Sequence, residues 1–157
     1  MKVLAVASIL AVSVFAAPFI VQERGREKQD KDLMVVEPSM IKWEQIEGLP
    51  DGCMSSNLAG DSKSAPFVSM FKLPRGTRVP LHYHSANRIV TVMSGTLVLG
   101  REGKPEEGTG MEIPAGGYAR VPAKSPHWNF VKEDTVFIVS GDKPKDLHWL
   151  EKEGEKK

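Results

Sequence analysis

The chain has a single cysteine, Cys53, among 157 residues. No intramolecular disulfide can form, so the fold is expected to be held by its apolar core. Cys53 itself reads as a plain loop or buried thiol, because nothing near it in sequence would lower its pKa. A charge excess of either sign is also lacking: 21 Lys plus Arg face 20 Asp plus Glu, and the basic residues are scattered. There is no electrostatic footprint for DNA or RNA, and no nucleic-acid partner is expected. The sequence contains no phosphate-cradling glycine loop with a following lysine, no Gly-x-Ser-x-Gly elbow, no paired cysteines for zinc and no Asn-x-Ser/Thr acceptor. Nucleotide binding and serine hydrolysis are therefore not expected. Long hydrophobic runs are missing too. The longest, residues 3–16, falls short of the roughly 17 residues that span a bilayer comfortably. Preceded by Lys2 and bounded by the small residues Val14 and Ala16, it reads as a secretory signal peptide cut after Ala16. The expected compartment is periplasmic or extracellular, with no stable membrane anchor.

What is present fits one soluble domain: 41% of residues are hydrophobic and 26% charged. Residues 17–32 include the polar run VQERGREKQDKD and read as a disordered tether. Residues 151–157 have the same character and read as a charged, frayed tail. The folded domain is expected over residues 33–150. Within it Gly, Pro, Asn and Asp recur about every eight to twelve residues, the spacing of turns in all-β domains. They separate the runs FVSMFKL from Phe67, RVPLHYH from Arg78, RIVTVM from Arg88, TLVLG from Thr96, YARVP from Tyr118, HWNFV from His127 and TVFIVS from Thr135. Each has the length of a strand and is short for a helix. Only residues 39–46 carry a marginal helical spacing. An all-β sandwich or barrel follows.

His82 and His84 are separated by one residue in a strand-like run, so both imidazoles project from one face, rooted about 7 Å apart. His127 opens another predicted strand. Three neutral imidazoles converging inside a barrel suit zinc, iron, manganese, nickel or copper and leave positions open for water or substrate. Spacing alone also allows ordinary hydrogen-bonded strand histidines.

Residues 76–95, GTRVPLHYHSANRIVTVMSG, resemble the first signature of the cupin superfamily, and residues 116–129, GGYARVPAKSPHWN, resemble the second. TVMSGT and IPAGGYARVPAKSPHW are particularly similar to small single-domain cupins of the quercetin-dioxygenase-like and RmlC-like kind. With their flanking strands these stretches cover about half of the chain. The resemblance implies a cupin jelly-roll barrel with His82, His84 and His127 facing its interior as metal ligands, and it implies a homodimer.

The sequence departs from the pattern at position 88, where Arg88 stands in place of the usual glutamate ligand. By strand parity Arg88 points inward with the histidines. At roughly 5 Å and an effective dielectric near 20, a unit charge facing a divalent ion is worth about 6 to 7 kcal/mol before relaxation and screening. Left unpaired beside the site, a repulsive charge of that size can abolish metal binding at neutral pH; paired elsewhere, it leaves a three-histidine site of reduced charge. Arg88 has three ways to sit: paired at the barrel mouth with an acid such as Glu112, inside and holding an anionic ligand by its planar fork, or turned to solvent by a bulge. Lys124 is a second departure, replacing the usual glycine of a turn.

The same parity places Phe71, Val90, Val92, Asn129 and Val131 on the inward face, an apolar cup with one amide suited to a small-molecule pocket. Asn129 needs a partner and is a candidate donor to a ligand or a histidine. Tyr83 and Trp128 have opposite parity and are expected in packing between sheets or at a subunit contact. Two functions are foremost: a metal-dependent cupin enzyme of oxygenase, isomerase or lyase type acting on a small organic substrate, or a non-catalytic module binding a small anion or carbohydrate through Arg88 and the histidines; a structural or interaction protein with a merely packed barrel is a third, which the three histidines argue against.

Overall fold

The computed structural model describes residues 34–106 and 108–150. The expected signal peptide, the tether and the charged tail lie outside the described residues. After a 3-10 turn at Pro38–Met40, eleven strands follow: β1 Glu44–Gln45, β2 Met54–Gly60, β3 Phe67–Leu73, β4 Arg78–Tyr83, β5 Arg88–Ser94, β6 Thr96–Gly100, β7 Met111–Pro114, β8 Tyr118–Val121, β9 His127–Val131, β10 Thr135–Gly141 and β11 His148–Trp149. All seven predicted strands are present. The helical spacing over 39–46 yields only the short turn and β1. Among the described residues no helix is long and apolar enough to cross a membrane.

The strands form two antiparallel sheets, a jelly-roll sandwich. One runs β1-β2-β3-β10-β5-β8 and the other β11-β4-β9-β6-β7. Alternation decides which residues meet between them. In β5, Val90 and Val92 are buried while Ile89 and Met93 are exposed, the period-two pattern of a strand with one wet face. Val90 and Val92 join Leu97, Leu99, Val121, Val131 and Phe137 in the core between the sheets. Cys53 is buried in the same core, its Sγ 3.7 Å from Thr77 Oγ1. On the other side of the second sheet, Trp128, Val98 and Phe130 form a separate buried cluster. Trp128 is fully buried, and its indole N–H donates to the carbonyl of Glu102 at 2.9 Å. Tyr83 instead stacks on the ring of His148.

Two local features position the histidines. The register of β4 against β9 shifts between Val79 and His82. Val79, His82 and His84 consequently all line one cavity although their spacing alone would place Val79 on the opposite face. Pro80 sits at this irregularity, where a residue without an N–H costs no ladder bond. Lys124 holds a left-handed backbone with φ 58°, which costs an L-residue about 1–2 kcal/mol. Its N–H donates to the carbonyl of His84 at 2.7 Å, tying the turn before β9 to the end of β4.

Candidate metal centre

His82 and His84 come from the end of β4 and just beyond it, and His127 from the start of the neighbouring β9. His82 pairs directly with His127 across the ladder. The ring centroids lie 4.2 Å apart for His82 and His127, 5.2 Å for His82 and His84, and 5.4 Å for His84 and His127. One nitrogen from each ring lies within 4.8 Å of the others.

Every ring has its Nδ1 against a backbone carbonyl: His82 on Pro80 at 2.7 Å, His127 on Ser125 at 2.9 Å, and His84 on Asp146. A carbonyl only accepts, so in all three rings Nδ1 carries the proton and Nε2 is left with its lone pair. This outer arrangement orients imidazoles and sets their tautomer for metal binding. Burial is the main reason that all three rings stay neutral. It pushes His82 down to about 3, the Pro80 carbonyl offsetting part of the effect and the other two rings adding to it. Burial also lowers His84 and His127, against the opposing pull of the Asp146 and Ser125 carbonyls. Neutral imidazoles with free Nε2 atoms are the donor set that a divalent metal requires, so the residues fit such an ion.

Because His82 is 2% exposed and its folded pKa lies below its unfolded value of 6.5, the unfolded chain binds the proton first as pH falls. Stability is then full above pH 6.5 and declines toward pH 3. The urea midpoint of metal-free protein is expected to drop between pH 7 and pH 4.5. A midpoint that stays level over that range would show that the histidines are not held neutral.

A cavity of about 480 Å³ opens beside the cluster, within the usual range for small-molecule sites. His82, His84, Asn129 and Arg88 line it together with Phe71, Phe137, Leu49 and Trp149. Phe71 and Phe137 stack at 5.3 Å, forming an aromatic wall. Asn129 Oδ1 is buried and has no hydrogen-bond partner among the described residues. Val90, Val92 and Val131, expected in the lining, sit instead in the core and do not border the cavity.

Arg88 is 1% exposed, so no bulge turns it to solvent. Its acid partner is Asp146 and not Glu112. Arg88 Nη2 donates to Asp146 Oδ1 at 2.7 Å and to the carbonyl of Pro144 at 2.7 Å, and Nη1 donates to the carbonyl of Asn87 at 3.1 Å. Glu112 pairs with Lys132 at 2.6 Å. The guanidinium also lies 5.2 Å from the Phe67 ring centroid. Gly141 leaves room for it, since a Cβ there would meet Arg88 Nη1 at 2.8 Å. Three of the five guanidinium N–H groups thus go to the protein, two of them from Nη2, so the main hold of Arg88 is on the chain itself. The positive charge that threatened the metal is offset by the carboxylate beside it. Burial raises the Asp146 pKa, but hydrogen bonds from Ser85 and His148 together with the Arg88 charge outweigh it and bring the carboxyl down to about 2.

Asp146, Leu147 and Trp149 escaped the sequence reading. They follow β10 in a stretch without strand alternation, and are brought to the histidines by long-range ties, β11 pairing with β4 and Asp146 bonding to His84, Ser85 and Arg88.

A jelly-roll sandwich with three inward histidines beside an apolar cavity defines a cupin. The chain belongs to the ChrR cupin-like family, whose profile matches residues 31–146. Solved structures with similar folds include an acetylacetone dioxygenase candidate from Methylibium petroleiphilum PM1, 18% identical, with a TM-score of 0.62 over 82% of this chain and 88% of that one. An acetylacetone dioxygenase from Acinetobacter johnsonii is 15% identical, with a TM-score of 0.61 over 80% and 82%. The Rhodobacter sphaeroides structure of SigE with the anti-sigma ChrR is 17% identical, with a TM-score of 0.52 over 68% and 52%. No curated protein matches the chain.

Proposed function

We propose that this protein is a mononuclear metal-dependent cupin acting on a small organic substrate by oxygenase, isomerase or lyase chemistry. The observation that carries the proposal is the convergence of three imidazoles whose Nδ1 atoms are all committed to carbonyls. His82, His84 and His127 would hold the ion through Nε2. A bound iron, manganese, nickel, copper or zinc would supply Lewis acidity and, where redox-active, electron transfer to a bound substrate. The protein's own contribution is to bind and orient. The Phe71–Phe137 wall receives an apolar body, and the unpartnered Asn129 Oδ1 accepts from a hydroxyl or N–H of the ligand. Similarity to acetylacetone dioxygenases makes small 1,3-dicarbonyl compounds the first substrates to screen, by oxygen uptake of iron-loaded protein.

Trp149 offers a direct test, because its ring lies 5.6 Å from that of His82. Titration with cobalt(II) is expected to quench tryptophan fluorescence with an endpoint of one equivalent, and Trp149→Phe is expected to lose most of that response. Quenching that is absent, or unchanged in Trp149→Phe, would place the ion elsewhere. Export is part of the same proposal and rests on the character of residues 1–16. N-terminal sequencing of the native protein tests it: a mature chain starting at Ala17 supports it and a chain starting at Met1 opposes it.

A further inference from the structure

The three histidines are not held alike. His82 and His127 lean on the carbonyls of Pro80 and Ser125, each two residues back in its own chain. His84 leans on the carbonyl of Asp146, 62 residues away. The orientation of one imidazole therefore depends on the segment 142–150, and that segment is anchored at few points. Lys145 N–H donates to the Ser62 carbonyl at 2.6 Å and Leu150 N–H to the Leu81 carbonyl at 3.0 Å. Between them β11 adds two residue pairs to β4, the His148 ring stacks on Tyr83, the Trp149 ring meets that of His82 at 5.6 Å and Lys145 sits over the Phe71 ring. Among the described residues the buried charged anchor is Arg88. It takes the Pro144 carbonyl and Asp146 Oδ1, while Asp146 Oδ2 accepts from Ser85 N–H and meets His148 Nε2, both at 2.9 Å.

We propose that Arg88 is a positioning residue: by gripping Pro144 and Asp146 it fixes the strap 142–150 across the mouth of the cavity, and through the Asp146 carbonyl it sets the ring of His84. The side chain that occupies the usual acidic position acts on the site from outside it. Arginine suits the task because its planar fork reaches a carboxylate and a carbonyl together and keeps its charge when buried. Loss of the grip frees the strap, leaves the His84 ring without its acceptor, and opens the side of the cavity closed by Leu147 and Trp149. The consequence for metal retention rests on the three-histidine reading above; the mechanical claim does not.

The test compares wild type, Arg88→Met and Asp146→Asn as full, metal-free chains by NMR, following imidazole Nδ1–H signals and amide exchange. In Arg88→Met the His84 Nδ1–H signal is expected to vanish while those of His82 and His127 persist. The Lys145 and Leu150 amides are expected to exchange at least tenfold faster, with the Val92 amide, bonded to the Gly117 carbonyl within the sandwich, unchanged. Asp146→Asn, which keeps the shape and removes the charge, is expected to shift the same signals by a smaller factor and decides the matter should Arg88→Met not fold. Persistence of the His84 signal with unchanged strap exchange overturns the proposal, and so does equal loss of all three imidazole signals. Zinc is expected to leave Arg88→Met at least tenfold faster than wild type. If wild type takes up no zinc, the metal reading fails while the imidazole and amide signals still decide the role of Arg88.

Discussion

His82→Ala is expected to lower cobalt(II) or zinc affinity by more than about 100-fold. Loss of a mere outer partner of a metal ligand costs about 10- to 100-fold, and His82 is itself a donor at the centre of the cluster. Its ring is the closest of the three to another, at 4.2 Å from His127. The remaining pair, His84 just beyond β4 and His127 on β9, has centroids 5.4 Å apart and gives a weaker grip. Equilibrium dialysis against a chelator buffer measures the change. Circular dichroism is expected to be unaltered, because the His82 side chain bonds to the Pro80 carbonyl two residues back and the substitution leaves the backbone pairing of β4 in place. An affinity within a few-fold of wild type would mean that the ion binds outside the histidine cluster.

Gly100→Ala is expected to be among the most damaging methyl additions in the described fold. A Cβ at position 100 would lie 1.8 Å from Trp128 Cζ2 and 2.0 Å from Cε2. The indole cannot step aside, because it is fully buried and its N–H is bonded to the Glu102 carbonyl. Overpacking a core costs about 1–3 kcal/mol, and a rigid ring at this distance puts the cost at the upper end, about 3 kcal/mol or more. The strand must shift along its ladder with β9, where Gly100 pairs with Trp128, so the effect reaches the strand that carries His127. Chemical denaturation is the measurement, and a loss under about 1 kcal/mol would show that Trp128 is loosely held. Gly103, where an added Cβ would meet nothing within 4 Å, serves as a comparison only for crowding, since its φ of 74° strains any side chain there.

The strands most plainly written in the sequence are those with β-branched and aromatic alternation. β3, β5 and β10 carry FVSMFKL, RIVTVMS and TVFIVSG, and their pairing forms the middle of the larger sheet. β2 went unread because MSSNLAG is mostly small and polar, and its strand state comes from pairing with β3. β1 and β11 have two residues each, too few for any period to appear. At the site, the spacing of His82 and His84 with a later His127 pointed to the three residues that the structure gathers. The inward parity of Arg88 was likewise readable, and the side chain is buried. Its partner was not readable, since Asp146 lies 58 residues further on in irregular chain between lysine-rich and aromatic neighbours. Glu112 was the wrong acid for a physical reason: it lies on β7, in the opposite sheet from Arg88, with Lys132 within reach. Val90, Val92 and Val131 show the limit of parity, which tells the core side of a strand from the wet side but not lining from packing.

Metal content of the full chain, purified without a histidine tag and reconstituted at pH 7, tells whether the three imidazoles hold an ion. Close to one equivalent of a divalent transition metal per chain is expected, reduced to background in His82→Ala. Background metal in both proteins after reconstitution would contradict the three-histidine reading, and would mean that the three imidazoles are pinned in place for a purpose other than holding an ion.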